Sequence, residues 1–100
     1  MDPSAPAATD PAIETTSEVY FGRPYETIPI PGRYRGVEGP TRLRVQLLQP
    51  DGWQSFPLPT VTRASGHFRA HVELGAGQYR LRLVDPATGI RSRTLTLLLF

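Results

Sequence analysis

Apolar and polar residues alternate with a period of two from Glu18 to the C-terminal residue, and this pattern limits the possible folds more than any other feature of the chain. The clearest run is residues 41–47, where Leu43, Val45 and Leu47 alternate with arginine and glutamine. Because successive side chains of a β-strand point to opposite faces, the pattern predicts strands with one buried and one solvent-facing side. No segment predicts a helix.

Turn residues, such as those of Pro50-Asp51-Gly52, separate the alternating runs every eight to twelve residues or so. The runs predict about seven short strands, a number typical of an all-β sandwich or small barrel. They fall at residues 19–21, 28–34, 41–47, 53–56, 67–74, 79–83 and 91–99. Because proline cannot donate a hydrogen bond to a sheet, Pro29 and Pro31 predict that the second strand lies at an edge, or pairs only beyond Gly32.

The first part of the chain has a different composition. Residues 1–17 are rich in Pro, Ala, Ser and Thr, and Ile13 is their only large apolar residue after Met1. Such a segment buries too little apolar surface to offset the entropy of ordering, so we expect it to be disordered in isolation. The predicted organisation is an extended acidic arm with a short first strand at residues 1–22, followed by one β-sandwich at residues 23–100.

Several motifs together resemble the immunoglobulin-like and fibronectin-type-III-like modules of bacteria and their phages, in which a G-x-F strand precedes a G-x-Y-x-L strand. The motifs are Ile30-Pro31-Gly32-Arg33-Tyr34, Leu43-Arg44-Val45, Pro50-Asp51-Gly52-Trp53, Gly66-His67-Phe68-Arg69-Ala70 and Gly75-Ala76-Gly77-Gln78-Tyr79-Arg80-Leu81. The resemblance covers residues 28–99. It implies an immunoglobulin-like β-sandwich with a non-catalytic role in adhesion, spacing or assembly, and it transfers no catalytic residue.

The inventory of reactive side chains predicts no enzyme. The absence of cysteine excludes disulfides, thiolate zinc sites and cysteine nucleophiles. His67 and His71 fall on one face of a strand, roughly 13 Å apart, too far to share a metal ion without other ligands. We expect them to be solvated, with a pH-sensitive contact as the alternative. No Gly-x-Ser-x-Gly elbow or phosphate loop is present, so no catalytic residue, cofactor or metal is predicted.

Charge is distributed unevenly along the chain, which contains no lysine. Residues 1–26 carry five acidic residues and one arginine, whereas residues 27–100 carry ten arginines and four acidic residues. Outward positions on three predicted strands form a candidate basic face, made of Arg42, Arg44, Arg69, Arg80 and Arg82. The face is either a solvated strand surface or a site for an acidic partner, the arm of another copy or an anionic glycan. Nucleic acid is the least favoured partner, because no aromatic residues are interleaved for base stacking.

Two further surfaces are candidate binding sites. Apolar residues of the arm and of the last strand are predicted to contact a protein partner, because the arm can add a strand to a neighbour and the last strand is apolar on both faces. These residues are Ile13, Val19, Tyr20, Phe21, Leu98 and Phe100. The alternative for the arm is a plain linker. Trp53 either packs in the core, the commoner place for a lone tryptophan, or forms a platform for a glycan.

These features favour a non-catalytic assembly protein, an immunoglobulin-like subunit that attaches to a larger particle such as a phage head or tail. The expected partners are capsid, tail or other assembly subunits, with self-association as a further option. The alternative is a carbohydrate-associated accessory module, or a spacer of a multidomain bacterial protein. The N-terminus lacks a secretory signal and no apolar run is long enough to span a membrane. We therefore expect localisation to the virion, or otherwise a soluble protein in the cytoplasm or on a cell surface.

Overall fold

Nine β-strands follow one another along residues 10–100, the part of the chain that a computed structural model describes. No helix occurs among these residues, as the alternation predicts, so none of them forms a helix that could cross a membrane. The strands are β1 (Ala12–Thr15), β2 (Val19–Gly22), β3 (Ile28–Arg35), β4 (Arg42–Gln49), β5 (Gly52–Ser55), β6 (Thr60–Val61), β7 (His67–Val72), β8 (Gly77–Val84) and β9 (Leu95–Leu99).

The strands form two sheets. One has three strands in the order β1-β3-β7, and the other has the order β2-β9-β8-β4-β5, with β6 pairing with the start of β4. Neighbouring strands are antiparallel except for β2 and β9, which are parallel. The predicted all-β sandwich is confirmed, whereas its immunoglobulin-like type stays a prediction.

The core lies between the sheets and is built from the apolar side of each alternating run. Leu43, Val45, Leu81 and Leu83 are buried in one cluster, as the alternation predicts. The other buried members are Ile13, Ile28, Ile30, Tyr34, Leu47, Phe68, Ala70, Val72, Leu95, Leu97 and Leu99. Apolar burial of this kind is the main favourable contribution to the free energy of folding.

The sheet tolerates the two prolines of β3 because the positions of their missing N–H groups face a side where no strand needs them. In an antiparallel sheet the N–H and C=O groups of one residue point to the same neighbouring strand. The carbonyl of Pro31 accepts a hydrogen bond from Thr16 N at 3.1 Å, so the absent N–H groups of Pro29 and Pro31 face the β1 side. On that side pairing begins at Gly32, as predicted. On the opposite side β7 pairs with β3 from Ile28 to Arg33, so β3 lies between two strands. The prediction that this strand lies at an edge is therefore wrong.

The predicted disorder of residues 1–17 is wrong for β1. Ala12–Thr15 pairs with β3, and Ile13 is only 5% exposed within the core. One apolar anchor and a backbone ladder are therefore enough to order this segment. After Thr16 the chain crosses to the six-stranded sheet, so residues 12–22 add one strand to each sheet. The prediction also covers residues 1–9, which lie outside the described residues.

A tyrosine closes the connection between β7 and β8. The hydroxyl of Tyr79, near the start of β8, donates to the carbonyl of Gly75 at 3.0 Å and approaches that of Ala76 at 3.3 Å. This geometry, in which a strand tyrosine bonds to the backbone a few residues upstream, is that of a tyrosine corner. Tyr79 is half-buried against the core rather than fully buried, so its hydroxyl stays within reach of these carbonyls.

Candidate functional site

The parallel pair β2–β9 forms one edge of the six-stranded sheet. Val19 lies beside Thr96, and Phe21 lies beside Leu98. Alternation along both strands turns these side chains to the outer face, while Leu97 and Leu99 enter the core. The edge strand of the sheet therefore presents apolar side chains where polar ones are usual.

One apolar surface, here named the edge patch, consists of the exposed residues Val19, Phe21 and Phe100 and the half-buried Leu98. Phe21 is 63% exposed and Phe100 is 78% exposed, and their rings meet edge-to-face with centroids 6.4 Å apart. The amide of Phe100 donates to the carbonyl of Gly22 at 3.1 Å, which continues the β2–β9 ladder. The terminal ring is thus held at a defined place beside Phe21.

An open groove of about 590 Å³ adjoins the two rings of the edge patch. Its other walls come from Gly22, the last residue of β2, and from Arg23, Pro24 and Glu26 in the turn that follows. At the opposite end of β2, Glu18 forms an ion pair with Arg93 at 3.2 Å. The edge patch is therefore bordered by charged groups at both ends, a distribution found at binding surfaces with an apolar centre and a polar rim.

The structure separates the six residues predicted to contact a partner. Val19, Phe21, Leu98 and Phe100 share the edge patch, but Ile13 does not, because it is buried in the core of its own chain. Tyr20 points to the interior and is half-buried, and its hydroxyl accepts a hydrogen bond from Ser17 N at 3.2 Å. A partner bound at this edge would contact four of the six predicted residues.

The predicted basic face is divided between the two sheets. Arg42, Arg44, Arg80 and Arg82 belong to the neighbouring strands β4 and β8 of the six-stranded sheet, whereas Arg69 lies on β7 in the other sheet. Grouping Arg69 with them is therefore wrong, since the sequence does not reveal which strands share a sheet. Arg44 is also engaged within the chain, because its guanidinium donates to the carbonyl of Phe56 at 3.1 Å.

Trp53 lies on the outer face of the six-stranded sheet and not in the core. It is paired with the outward-facing Leu48 and is half-buried. The guanidinium of Arg82 lies 4.1 Å from the centre of its ring, and Nε of Arg82 donates to Oε1 of Gln46 at 2.7 Å. Burial, followed by the nearby charge of Arg91, lowers the pKa of Arg82 from its ordinary value. One part of the indole surface is therefore already covered by a cation–π contact.

The two histidines are exposed on the outer face of the three-stranded sheet. His67 lies opposite Arg33 and His71 lies opposite Pro29. No cluster of three or more His, Cys, Asp or Glu side chains suitable for a metal ion occurs within residues 10–100.

Sequence reasoning overlooked a second group of arginines. Arg33 and Arg63 lie near Arg69 on the three-stranded sheet and line one groove with it. The alternation placed Arg69 on an outer face, but only the pairing of β3 with β7 brings the three together. No signal in the linear sequence indicates that register.

The chain matches no protein-family model, and a search of curated proteins finds no match either.

Proposed function

We propose that the protein is a non-catalytic assembly domain that attaches to a protein partner through the edge patch. The observation that supports this most directly is the exposure of two rings in mutual contact, Phe21 on β2 and Phe100 directly after β9. Exposing two phenylalanines costs free energy in water, and a partner that covers them recovers it. Aromatic anchors are also the residues that most often dominate the energy of protein interfaces.

The proposed type of domain is immunoglobulin-like. Two observations support it: the sheets follow the pairing orders β1-β3-β7 and β9-β8-β4, and Tyr79 forms a tyrosine corner at the start of β8. In immunoglobulin-like sandwiches the first, second and fifth main strands share one sheet, and the third, sixth and seventh share the other. The strands of this chain follow that division if β1, β3, β4, β7, β8 and β9 correspond to strands A, B, C, E, F and G. The fourth strand, D, then has no counterpart beside β7 within residues 10–100, and β2, β5 and β6 are additions.

The specific form of the proposal is a subunit of a larger particle, such as a phage head or tail, whose partner is a capsid or tail protein. Support comes from the resemblance to bacterial and phage modules and from the edge patch. A carbohydrate-binding role is less well supported, because Arg82 occupies part of the Trp53 ring that a sugar would need. Among residues 10–100 no strand pairs with the outer edge of β2, so this edge could receive a protein segment.

Site-specific photocross-linking tests the proposal. A photoreactive phenylalanine analogue at position 21 is compared with the same analogue at position 58, in cells that produce the protein naturally. Leu58 is a matched control, because it is 79% exposed but lies in the connection between β5 and β6. We expect one defined protein to be captured from position 21 and not from position 58, and we expect Phe100→Ser to abolish its capture.

A second measurement addresses the particle itself. Sedimentation of the same cell extract separates large assemblies from free protein, and the cross-linked product is expected in the assembly fraction. If positions 21 and 58 capture the same set of proteins, or if the protein remains free in every fraction, the attachment proposal is wrong.

A further inference from the structure

The three-stranded sheet carries an open groove of about 400 Å³ that shares no lining residue with the edge patch. It is lined by Glu14 and Thr15 of β1, by Thr16 just after β1, by residues 31–33 of β3, by Arg63 and by residues 67–69 of β7. A space of this size suits a small ligand better than a protein segment.

Three guanidinium groups surround this groove. Arg33 on β3 lies directly opposite His67 on β7, and Arg69 lies two residues further along β7, opposite Pro31. Arg63 belongs to the turn that precedes β7, and its backbone N–H donates to the carbonyl of His67 at 2.8 Å. The backbone thus places all three arginines around one end of the β3–β7 pair.

The turn also brings Arg33 towards Arg63. Gly66 N donates to the carbonyl of Arg63, and Tyr34 N donates to the carbonyl of Gly66, both at 2.8 Å. A side chain on Gly66 would approach the backbone carbonyl of Tyr34 and would lie 3.8 Å from Cγ of Arg33. The aliphatic part of Arg33 therefore passes beside the turn that carries Arg63.

These three arginines have no carboxylate partner within residues 10–100. The two ion pairs of this part of the chain are Arg35–Glu14 at 3.0 Å and Arg93–Glu18 at 3.2 Å. Glu14 lines the same groove, but its carboxylate is engaged by Arg35. Glu14 also lies opposite Arg33 in the β1–β3 ladder, so the groove contains three guanidinium groups and one carboxylate, and its net charge is positive.

We propose that this groove binds the phosphate or sulfate group of a small anionic ligand, held by Arg33, Arg63 and Arg69. Guanidinium groups present planar forks of donors that match the oxygens of phosphate and sulfate. His67 and the hydroxyl of Thr16 add further hydrogen-bonding groups at the rim. The site is distinct from the edge patch, so it would operate whether or not the assembly proposal is correct.

Titration followed by NMR tests the anion site. The backbone and arginine side-chain N–H signals are recorded while pyrophosphate or sulfate is added, in parallel arms, at constant ionic strength. We expect saturable shifts confined to Arg33, Arg63, His67 and Arg69. The arm that binds more tightly identifies the group recognised, and failure of both arms to saturate would overturn the proposal.

Matched variants give the second readout. Arg33→Gln, Arg63→Gln and Arg69→Gln are each expected to weaken binding about tenfold or more, the loss expected for one charge-assisted hydrogen bond. Arg80→Gln is the control, because it removes the same charge from an exposed position of the other sheet. An equal loss in Arg80→Gln would show that only net charge matters, which contradicts a defined site.

Folding of the variants is checked by thermal unfolding without ligand. Because all three side chains are exposed and form no ion pair within residues 10–100, we expect the midpoint to change little. Arg69→Lys keeps the charge but loses the fork, so we expect its affinity to lie between those of the wild type and Arg69→Gln. Wild-type affinity in Arg69→Lys and Arg69→Gln alike would exclude Arg69 from the site.

Discussion

At the scale of single residues, one buried hydrogen bond joins the two halves of the sandwich. The hydroxyl of Tyr34, on β3, donates to Oδ2 of Asp85 at 2.6 Å, and Asp85 follows β8 in the other sheet. Oδ1 of the same carboxylate accepts from Ala87 N at 3.0 Å. Both residues are almost fully buried, so these hydrogen bonds compensate for the loss of contact with water.

This bond predicts a specific loss of stability at alkaline pH. Burial, and then the hydrogen bond to Asp85, raises the pKa of Tyr34 above its ordinary value of about 10. The stabilisation is therefore complete below about pH 10 and is lost as the pH rises through the higher pKa of the folded state. We expect the free energy of unfolding, measured by urea titration, to fall above pH 10 and to fall less in Tyr34→Phe.

The same variant should also be less stable near neutral pH. Removing the hydroxyl leaves Asp85 with one donor fewer, at a cost of about 1–3 kcal/mol. Tyr25→Phe serves as the control, because Tyr25 is exposed. Equal alkaline slopes for wild type and Tyr34→Phe would contradict the assigned role of the bond.

A second residue-scale prediction concerns Gly32, which lies where β1, β3 and β7 meet. A Cβ atom at this position would collide with the backbone carbonyl of Glu14 and with the ring of Phe68. We expect Gly32→Ala to lower the free energy of unfolding by about 1–3 kcal/mol, because a backbone atom cannot move aside cheaply. In Gly75→Ala the nearest atom belongs to the exposed Tyr25 side chain, 3.1 Å away, so its loss should be smaller. Comparable losses in the two variants would argue against the close approach of β1.

At the scale of strands, the prolines of β3 explain why the N-terminal segment divides into β1 and β2. A longer β1 would need N–H donors from Pro31 and Pro29, which have none. The chain therefore leaves the three-stranded sheet after Thr16, and the carbonyl of Glu18 accepts a hydrogen bond from Thr96 N at 2.8 Å at the start of β2.

Ile13 gives the matching element-scale prediction. Truncation to alanine would leave a cavity in the core, so Ile13→Ala should cost about 2–5 kcal/mol in chemical denaturation. Val19→Ala removes a side chain of the exposed edge patch and should cost less than 1 kcal/mol or so. If both variants unfold like the wild type, β1 does not contribute to the stability of the sandwich.

The sequence predicted those features that depend on neighbouring residues in the chain, and it did not predict those that depend on contacts between distant strands. The alternation predicted β4, β7 and β8 and their inward faces, because the exchange of apolar and polar residues is visible within each of these strands. It missed β1, whose four residues offer only Ile13 as an apolar anchor, and it missed the two-residue β6. All four residues of the edge patch were among those predicted to contact a partner, and the apolar character of both faces of the last strand was one reason. The place of Ile13, of Trp53 and of the Arg33–Arg63–Arg69 group depends on pairing between distant strands, which no local pattern records.

At the scale of the whole molecule, the two candidate sites lie on different sheets. The edge patch is apolar and lies on the six-stranded sheet, whereas the arginine-lined groove belongs to the three-stranded sheet. Because they share no residue, a protein partner and a small anion could be bound at the same time. A domain of this size can therefore carry two contacts of different chemistry without a deep cleft.

The parallel pairing of β2 with β9 also has a mechanical consequence. A tension that pulls Glu18 and Phe100 apart acts along both strands, so the hydrogen bonds between them are loaded together in shear and do not open one after another. We expect single-molecule stretching between these two positions to require a higher rupture force than stretching between Gly75 and Phe100, which peels β8 from β9 bond by bond. Equal forces in the two pulling directions would contradict this expectation, and a large difference would suit a domain that stays folded while it is tethered under load.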